Sequence, residues 1–187
     1  MNYKKRKYST PSQTVGPFFG NYLNFNKEKF PFAEKSNIKL KFKKTIISGN
    51  IIYNKNNILK DGFIEYWQEV KYNGKNNFLN FNRTKSNEVK KNKFTLFINQ
   101  YNQINNANNV NLIIFARGIL NHLYTKIYFE DDKHYKNDIF YNSISNKRRS
   151  TLIAKLINKK NDIKHYSFNI FLNGINETLF FDNHELH

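Results

Sequence analysis

The sequence contains no cysteine, which excludes disulfide bridges and thiolate metal sites. It also lacks a long apolar run. The longest, residues 112–120, is interrupted by Arg117 and is far shorter than the ~20 residues that cross a bilayer. The basic residues 1–7 are not followed by an apolar stretch. We therefore expect no signal peptide and a cytoplasmic protein.

Proline and glycine are scarce, with three and seven residues in a chain of 187. All three prolines lie within the first 37 residues, where no periodic pattern is evident. Because proline fixes φ and lacks an N–H donor, this region is predicted to be an extended arm. We place an N-terminal arm at residues 1–37 and a single domain at residues 38–187.

Arginine is also scarce relative to lysine, with five arginines among 31 basic residues. The net charge of +17 would suit a nucleic-acid-binding protein, but the lysines are scattered and form no dense stripe. Lysine, asparagine, isoleucine, phenylalanine and tyrosine share A/T-rich codons and are all abundant here. A lysine-rich surface produced by codon bias therefore explains the charge better than a phosphate-binding groove.

Aromatic residues are plentiful. They make up 17% of the chain, and hydrophobic residues 39%, which is enough to fill a core and unlike a disordered chain. Short apolar or alternating runs predict a mainly β fold, a β-sandwich with one minor helical segment. The predicted strands are residues 38–42, 46–53, 63–67, 94–98, 110–117, 124–129, 166–172 and 178–181.

The other segments complete this prediction. Residues 46–53 and 63–67 are expected to form a hairpin, with Gly49 at a bulge or bend. Residues 71–92 and 99–109 are polar and are predicted as loops. Residues 137–158 are the best helical candidate because Ile153, Leu156 and Ile157 recur at helical spacing. Asn173-Gly174 is predicted to be the turn between the last two strands.

Several separated segments carry a resemblance to one known family. Residues 10–18 match a Pro-Ser-Gln-Thr-x-Gly-Pro-aromatic signature in an N-terminal arm, although Phe18 replaces the usual tyrosine. The segment from Gly49 to Trp67, which ends in residues 63–68, matches a strand–turn–strand unit that closes on Glu-x-Trp-Gln. The remaining matches are residues 114–119, 128–131, 148–155 and 177–182. Together these segments resemble the protocatechuate 3,4-dioxygenase family of intradiol ring-cleaving enzymes, and its alpha chains in particular.

The resemblance implies a mixed-topology β-sandwich and a division of labour between two chains. In the family, a catalytic beta chain holds Fe3+ with two tyrosinates and a His-x-His pair, and phenolate oxygen suits this hard cation. With O2, the enzyme cleaves protocatechuate to 3-carboxy-cis,cis-muconate. Here the position of the histidine pair falls on Asn109 and Asn111. Only Tyr72 and Tyr101 lie near the expected tyrosine positions, so this chain is expected to bind no metal.

The resemblance also implies where this chain would contribute to chemistry. The alpha chain of the family helps to line the substrate pocket of its iron-bearing partner. The matching residues here are Thr14, Gly16 and Pro17 in the arm, and Arg117 in the Phe-Ala-Arg-Gly segment. A guanidinium suits this role because it can bind the substrate carboxylate through paired donors. No catalytic residue is assigned to this chain, and its expected partner is the beta subunit.

Each of these assignments has a structural alternative. Arg117 could pair with Glu130 or Asp131 at the surface, while Gly16 and Pro17 could only shape the turn where the arm leaves the domain. Trp67 and Glu65 are expected to pack in the core, and Arg148 and Arg149 to stabilise an interface or cap a helix. For the chain as a whole, the alternatives are a degenerate structural subunit and a basic nucleic-acid-binding protein.

Overall fold

A computed structural model describes residues 41–54, 57–86, 91–102, 106–116, 118–119 and 121–181. Strands dominate this part of the chain. They are β1 (Phe42–Gly49), β2 (Ile51–Tyr53), β3 (Asn57–Ile58), β4 (Phe63–Tyr72), β5 (Lys75–Lys85), β6 (Phe94–Tyr101), β7 (Asn109–Phe115), β8 (Leu123–Phe129), β9 (Ile153–Lys160), β10 (Ile163–Ser167) and β11 (Ile170–Phe171). The short helices α1 (Ile139–Ser143) and α2 (Asn146–Arg149) and two 3-10 turns (Lys133–Asn137 and Ser150–Leu152) lie between β8 and β9.

Eight strands form one large sheet in the order β5-β4-β7-β8-β9-β10-β1-β6, and β11-β2-β3 form a small one. The pairs β8–β9 and β1–β10 are parallel and the other pairs of the large sheet are antiparallel. The large sheet curves until it almost closes into a barrel. The predicted mainly β, mixed-topology fold is confirmed.

The main core fills the inside of this curved sheet. Alternate residues of the strands supply it, because successive side chains of a strand point to opposite faces. Its fully buried members come from all parts of the sheet and include Ile47, Ile64, Leu96, Leu112 and Ile127. The opposite face of β8 is packed by the turns and helices between β8 and β9.

Two side chains of β4 close the gap between β4 and the edge strand β6. The Tyr66 hydroxyl accepts a hydrogen bond from the Phe97 N–H at 3.2 Å and donates to the Phe97 carbonyl at 3.4 Å. Gln68 accepts from the Asn99 N–H at 3.2 Å and donates to the Asn99 carbonyl at 2.7 Å. These two side chains thereby satisfy backbone groups that an edge strand would otherwise leave unpaired.

A bulge in β5 adds to this hydrogen-bonded contact between β4 and β6, which we call the seam. Asn80 has a φ of 56°, at the register shift between β4 and β5. Its amide donates to Gln68 Oε1 at 2.8 Å and to the Tyr101 hydroxyl at 3.0 Å. Burial raises the pKa of Tyr66 to about 12, so its hydroxyl stays protonated and can donate. The barrel is therefore closed by side chains rather than by an eighth pair of strands.

Gly49 marks the point where the chain leaves the large sheet for the small one. Strand β1 ends at this residue, and β2 begins two residues later. A methyl group on Gly49 would overlap the carbonyl oxygen of Phe168, so only glycine permits this approach of the two backbones. The bend predicted at Gly49 is confirmed. The hairpin predicted for residues 46–53 and 63–67 is wrong, because β2 pairs with β3 and β11 while β4 joins β5 and β7.

The loop predicted for residues 71–92 is also wrong over most of its length. Strand β5 occupies Lys75–Lys85 and forms a hairpin with β4. The connection is Asn73-Gly74, with φ of 51° and 74°, which is the two-residue turn that this dipeptide favours. The polar composition reflects a strand at the edge of the sheet, where many side chains face solvent.

The helix predicted for residues 137–158 is replaced by short helical turns and a strand. Residues from Ile153 onward form β9, which turns back into β10 through Asn161-Asp162, with φ of 49° and 61°. The apolar spacing of the isoleucines fits a helix, but their β-branched side chains and the Asn-Asp turn favour an edge hairpin. Only α1 and α2 remain of the helical prediction.

The other predicted segments agree more closely. The strands at residues 94–98, 110–117 and 124–129 are confirmed as β6, β7 and β8, with small shifts at their ends. The loop predicted for residues 99–109 is shorter in the structure, because β6 continues to Tyr101 and β7 begins at Asn109. The strand at residues 178–181 is reduced to a single bridge between Phe181 and Tyr124. The arm and the strand at residues 38–42, up to residue 40, lie outside the described residues.

Gln68 offers a direct test of the seam. Gln68→Leu keeps the volume but leaves the backbone groups of Asn99 without these partners and removes one of the two hydrogen bonds of the Asn80 amide. Unsatisfied buried polar groups cost about 1–3 kcal/mol each, so we expect a loss of about 3 kcal/mol in the free energy of unfolding. The measurement is chemical denaturation.

Gln100→Leu is the matched control for this substitution. Gln100 is also buried, but the described structure gives its side chain one hydrogen bond, to the Tyr166 hydroxyl at 3.1 Å. We expect a loss of about 1 kcal/mol for this variant. Equal losses for the two variants would contradict a special role of Gln68 in closing the sheet.

Candidate functional site

The strongest concentration of unmet polar groups lies where β7 and β8 pair. Asn109 is directly opposite Tyr128, and Asn111 is directly opposite Lys126. Because alternate residues of a strand share a face, all four side chains lie on the face opposite the core side chains of β7 and β8. We call these four residues the polar quartet.

Three buried atoms of the polar quartet have no hydrogen-bond partner in the described part of the chain: Asn109 Oδ1, Asn111 Nδ2 and the Tyr128 hydroxyl oxygen. Tyr128 is fully buried, and Asn111 is 6% exposed. Such a group costs about 1–3 kcal/mol when it is left unsatisfied. The quartet is therefore a local concentration of unmet hydrogen-bonding capacity.

Lys126 gives the quartet a positive charge. Burial lowers the pKa of its ammonium group, while the carboxylates of Asp138 and Glu69 act in the opposite direction. Its Nζ lies 4.8 Å from the ring centroid of Phe140, a cation–π contact. Within the described residues, no carboxylate lies close enough to Lys126 to form an ion pair.

Aromatic side chains cover the quartet. The ring of Tyr141 on α1 meets Tyr128 edge-on at 5.2 Å between centroids. Asp138 holds the first turn of α1, because its carboxylate accepts from the Tyr141 N–H at 3.0 Å. Burial is the largest cause that raises the pKa of Tyr128, and the nearby Asp138 carboxylate raises it further. The Tyr128 hydroxyl is therefore protonated.

The residues of the quartet do not fit a ferric ion. Asn109 and Asn111, at the position where the resemblance implies a histidine pair, present neutral amides, which are weak ligands for a hard trivalent cation. Lys126, opposite Asn111, adds a like charge that repels a metal ion. Among the described residues, no group of three or more His, Cys, Asp or Glu side chains could hold a metal ion.

The two tyrosines nearest to the expected ligand positions lie elsewhere. Tyr101 is buried in a small cluster with Val70 and Leu79, and its hydroxyl accepts the amide of Asn80. Tyr72 ends β4 beside the turn to β5. Neither is a member of the quartet. Among the described residues, the structure thus assembles no set of phenolate and nitrogen ligands.

The predicted substrate contacts Thr14, Gly16, Pro17 and Arg117 all lie outside the described residues. The structure does describe the residues that flank Arg117. The Ile119 N–H donates to the Ala116 carbonyl at 3.2 Å, and Gly118 has a φ of 86°. A positive φ favours glycine, which explains the glycine of the Phe-Ala-Arg-Gly segment.

The acids proposed as alternative partners of Arg117 already have partners. Glu130 accepts from Lys155 at 2.8 Å, and this hydrogen bond lowers the pKa of its exposed carboxyl group. Burial alone would raise the pKa of Asp131, but hydrogen bonds from Lys164 and Tyr166 hold it below its ordinary value. Neither acid therefore depends on Arg117 for its charge balance.

The structure assigns Arg149 a role within the fold. Its guanidinium donates to the carbonyls of Ile144 at 2.8 Å and Asn142 at 2.6 Å, and it lies over the Tyr141 ring. It thereby caps the end of α1. Of the two roles predicted for Arg149, an interface contact and a helix cap, the structure shows the helix cap. Arg148 lies 3.8 Å from Glu177.

The prediction that Trp67 and Glu65 pack in the core is wrong. Trp67 is only half-buried and stacks on Phe78 at 5.7 Å between centroids. Glu65 pairs with Arg83 at 2.7 Å. Both residues lie on the face of β4 opposite the core residues Ile64 and Tyr66, as the two-residue alternation of a strand requires.

Sequence reasoning missed Lys126 and Tyr128. They belong to an apolar run that predicts a strand, and nothing in the run marks two of its members as neighbours of Asn109 and Asn111. The pairing register of β7 with β8 supplies that information. In the same described residues, no helix is long and apolar enough to cross a membrane.

Histidines introduced at positions 109 and 111 can test whether the charge of Lys126 weakens metal binding. Asn109→His with Asn111→His should restore two imidazoles, but Lys126 would still repel a cation. We expect Lys126→Gln, added to this double variant, to tighten Co2+ binding by more than about tenfold, which corresponds to about 1.4 kcal/mol.

The measurement is a titration followed by the visible absorption of bound Co2+. Lys44→Gln in the same double variant is the control, because Lys44 is exposed on β1. Equal affinity with and without Lys126 would show that its charge does not oppose a metal ion.

Comparison with known proteins identifies similar chains. The chain is 30% identical to the protocatechuate 3,4-dioxygenase alpha chain of Pseudomonas putida, over 92% of this chain and 96% of the relative. It is 28% identical to the protein of the same name from Burkholderia cepacia, with the same two coverages. No family model matches the sequence.

Solved structures show the same fold at lower identity. A chlorocatechol 1,2-dioxygenase from Pseudomonas putida matches with a TM-score of 0.53 and 13% identity, over 86% of this chain and 70% of its own. A 3-chlorocatechol 1,2-dioxygenase from Rhodococcus opacus 1CP matches with a TM-score of 0.50 and 14% identity, over 71% of this chain and 60% of its own. These matches support the architecture described above.

Proposed function

Because the chain belongs to the family of protocatechuate 3,4-dioxygenase alpha chains, within the intradiol ring-cleaving dioxygenases, we propose that it is the iron-free subunit of such an enzyme. Its partner is a beta subunit that holds Fe3+. In the complex, protocatechuate reacts with O2 and is cleaved to 3-carboxy-cis,cis-muconate. This chain lines part of the substrate pocket and is inactive on its own.

One observation carries the proposal: the likeness to an alpha chain extends over almost the full length of both proteins. The chemistry of the polar quartet supports it. Two asparagine amides and a lysine stand where the resemblance implies an iron-binding pair, so the metal has to come from another chain. A site built from two chains follows, with this chain as the contributor of neutral and positively charged groups.

Arg117 is the residue we assign to the substrate carboxylate. It directly follows β7 and Ala116, in a segment that the glycine at position 118 helps to turn. The guanidinium is always charged and offers paired donors to a planar carboxylate. Glu130 and Asp131, the acids considered as alternative partners of Arg117, already pair with Lys155 and Lys164.

The arm supplies the second part of the pocket in this proposal. Gly16 allows close approach of the backbone to the ligand, and Pro17 provides a rigid apolar surface. Thr14 offers a hydroxyl group that can donate or accept a hydrogen bond. These contacts orient the substrate, whereas the redox chemistry belongs to the metal of the partner.

Substitution of Arg117 in the complex tests this assignment. Arg117→Ala should lower kcat/KM for protocatechuate by about 10- to 100-fold through a higher KM, because hydrogen bonds to a charged group contribute about 1.5–3 kcal/mol. The effect should be absent for catechol, which lacks the carboxylate. Steady-state O2 consumption with both substrates measures it.

Arg148→Ala is the matched control, since it removes the same charge from a residue assigned only to the surface pair with Glu177. It should leave KM unchanged. If Arg117→Ala also leaves KM for protocatechuate unchanged, the chain is a structural subunit without a role in the site, which is the main alternative.

A further inference from the structure

Four strands of the large sheet present their outer surface to solvent. These strands are β9, β10, β1 and β6, which lie side by side at one end of the sheet. Their inner side chains belong to the main core, and alternate side chains point the other way. In the middle of the four strands these outer side chains are all exposed or half-buried. We call this outer surface the open face.

One row across the open face is apolar. Ile46 on β1 pairs directly with Phe97 on one side and with His165 on the other. Strand β9 has a bulge at this level, where Ile157 and Asn158 together oppose His165. Ile157 is 62% exposed and Phe97 is 61% exposed, which makes them the most exposed large apolar side chains of the described strands. An apolar row of this kind with polar surroundings is typical of a protein contact surface.

The neighbouring row of the open face carries two lysines. Lys160 of β9 is directly opposite Ile163 of β10. Lys44 of β1 lies on the other side of Ile163, because β1 and β10 pair in register from the next residue onward. Two strand spacings, about 9–10 Å, separate the two lysines. Among the described residues, neither lysine has a carboxylate within ion-pair distance, since the nearby acids pair with other lysines.

The charges indicate which kind of partner fits. None of the four strands contains Asp or Glu, whereas β1, β9 and β10 all contain lysine. A second copy of the chain would bring two acid-free faces together, which like-charge repulsion disfavours. The charged backbone of a nucleic acid would match the lysines but not the apolar row. A protein surface with an apolar patch beside two carboxylates matches both rows.

We propose that the open face binds a protein surface of this chemistry, and that the surface belongs to the beta subunit. Phe97 and Ile157 mark the two ends of the apolar contact, and Lys44 and Lys160 pair with two carboxylates of the partner. The identity of the partner rests on the proposed function, whereas the position and chemistry of the contact follow from the sheet. Strand β7, which precedes the segment assigned to the substrate, is not part of the open face, so this contact serves assembly.

Thiol labelling can map the contact, because the chain contains no cysteine of its own. Asn158→Cys places one thiol on the open face, and Asn146→Cys places one at an exposed position of α2. In the isolated full-length chain, both thiols should react readily with a maleimide. In the complex purified with an iron-bearing beta chain, the Asn158→Cys thiol should react at least about tenfold more slowly, and the Asn146→Cys thiol should keep its rate. Mass spectrometry of this chain follows both reactions.

Charge reversal tests the expected carboxylates of the partner. Lys44→Glu combined with Lys160→Glu should raise the Kd for the beta chain by at least about tenfold, because like charges would then face each other. Lys133→Glu combined with Lys136→Glu is the matched control. It changes the net charge equally, through two exposed lysines of the 3-10 turn after β8, and should keep the wild-type Kd. Titration calorimetry of the separately purified chains gives each value.

The contrary outcomes are distinct. Slow reaction of the Asn158→Cys thiol in the isolated chain would show that the chain itself or a second copy covers the open face. Protection by single-stranded DNA, without protection by the beta chain, would assign the face to nucleic acid. A complex in which this thiol keeps its full rate, or equal losses of affinity in the two double variants, would overturn the contact and leave the proposed function intact. Failure of the wild-type chain to form any complex would overturn both.

Discussion

The closure of the large sheet depends on Gln68 and its neighbour Tyr66. Their side chains take over the hydrogen bonds that a paired strand would provide to Phe97 and Asn99. Because β4 also pairs with β7, these hydrogen bonds fix the position of β7 relative to the rest of the barrel. Strand β7 carries Asn109 and Asn111. The inner face then becomes the core, and the polar quartet lies on the outer face.

On that outer face, Asn109 and Asn111 stand where the resemblance implies a histidine pair. The strand keeps two polar residues two positions apart, and the sheet keeps their orientation. The side chains, however, are amides beside Lys126 and Tyr128, and one atom each of Asn109, Asn111 and Tyr128 lacks a partner among the described residues. Such a group stabilises neither the fold nor an iron ion, and we therefore propose that a second chain holds the iron.

The sequence predicted the parts of this picture that depend on local pattern. The apolar run of β7, the bend at Gly49 and the loss of a histidine pair were all visible from residues close together in the chain. The β5 hairpin was missed although Asn73-Gly74 is a strong turn signal, because its edge strand is polar. Lys126 and Tyr128 could not be recognised, since their role depends on the register of β8 against β7.

The most direct test of the two-chain account is to measure iron content and ring-cleaving activity for the purified chain, alone and after co-expression with an iron-bearing beta chain. The account predicts no bound iron and no O2 consumption for the chain alone. It also predicts a coloured, active complex in which this chain and the beta chain co-purify. Stoichiometric iron and turnover of protocatechuate by the isolated chain would contradict it.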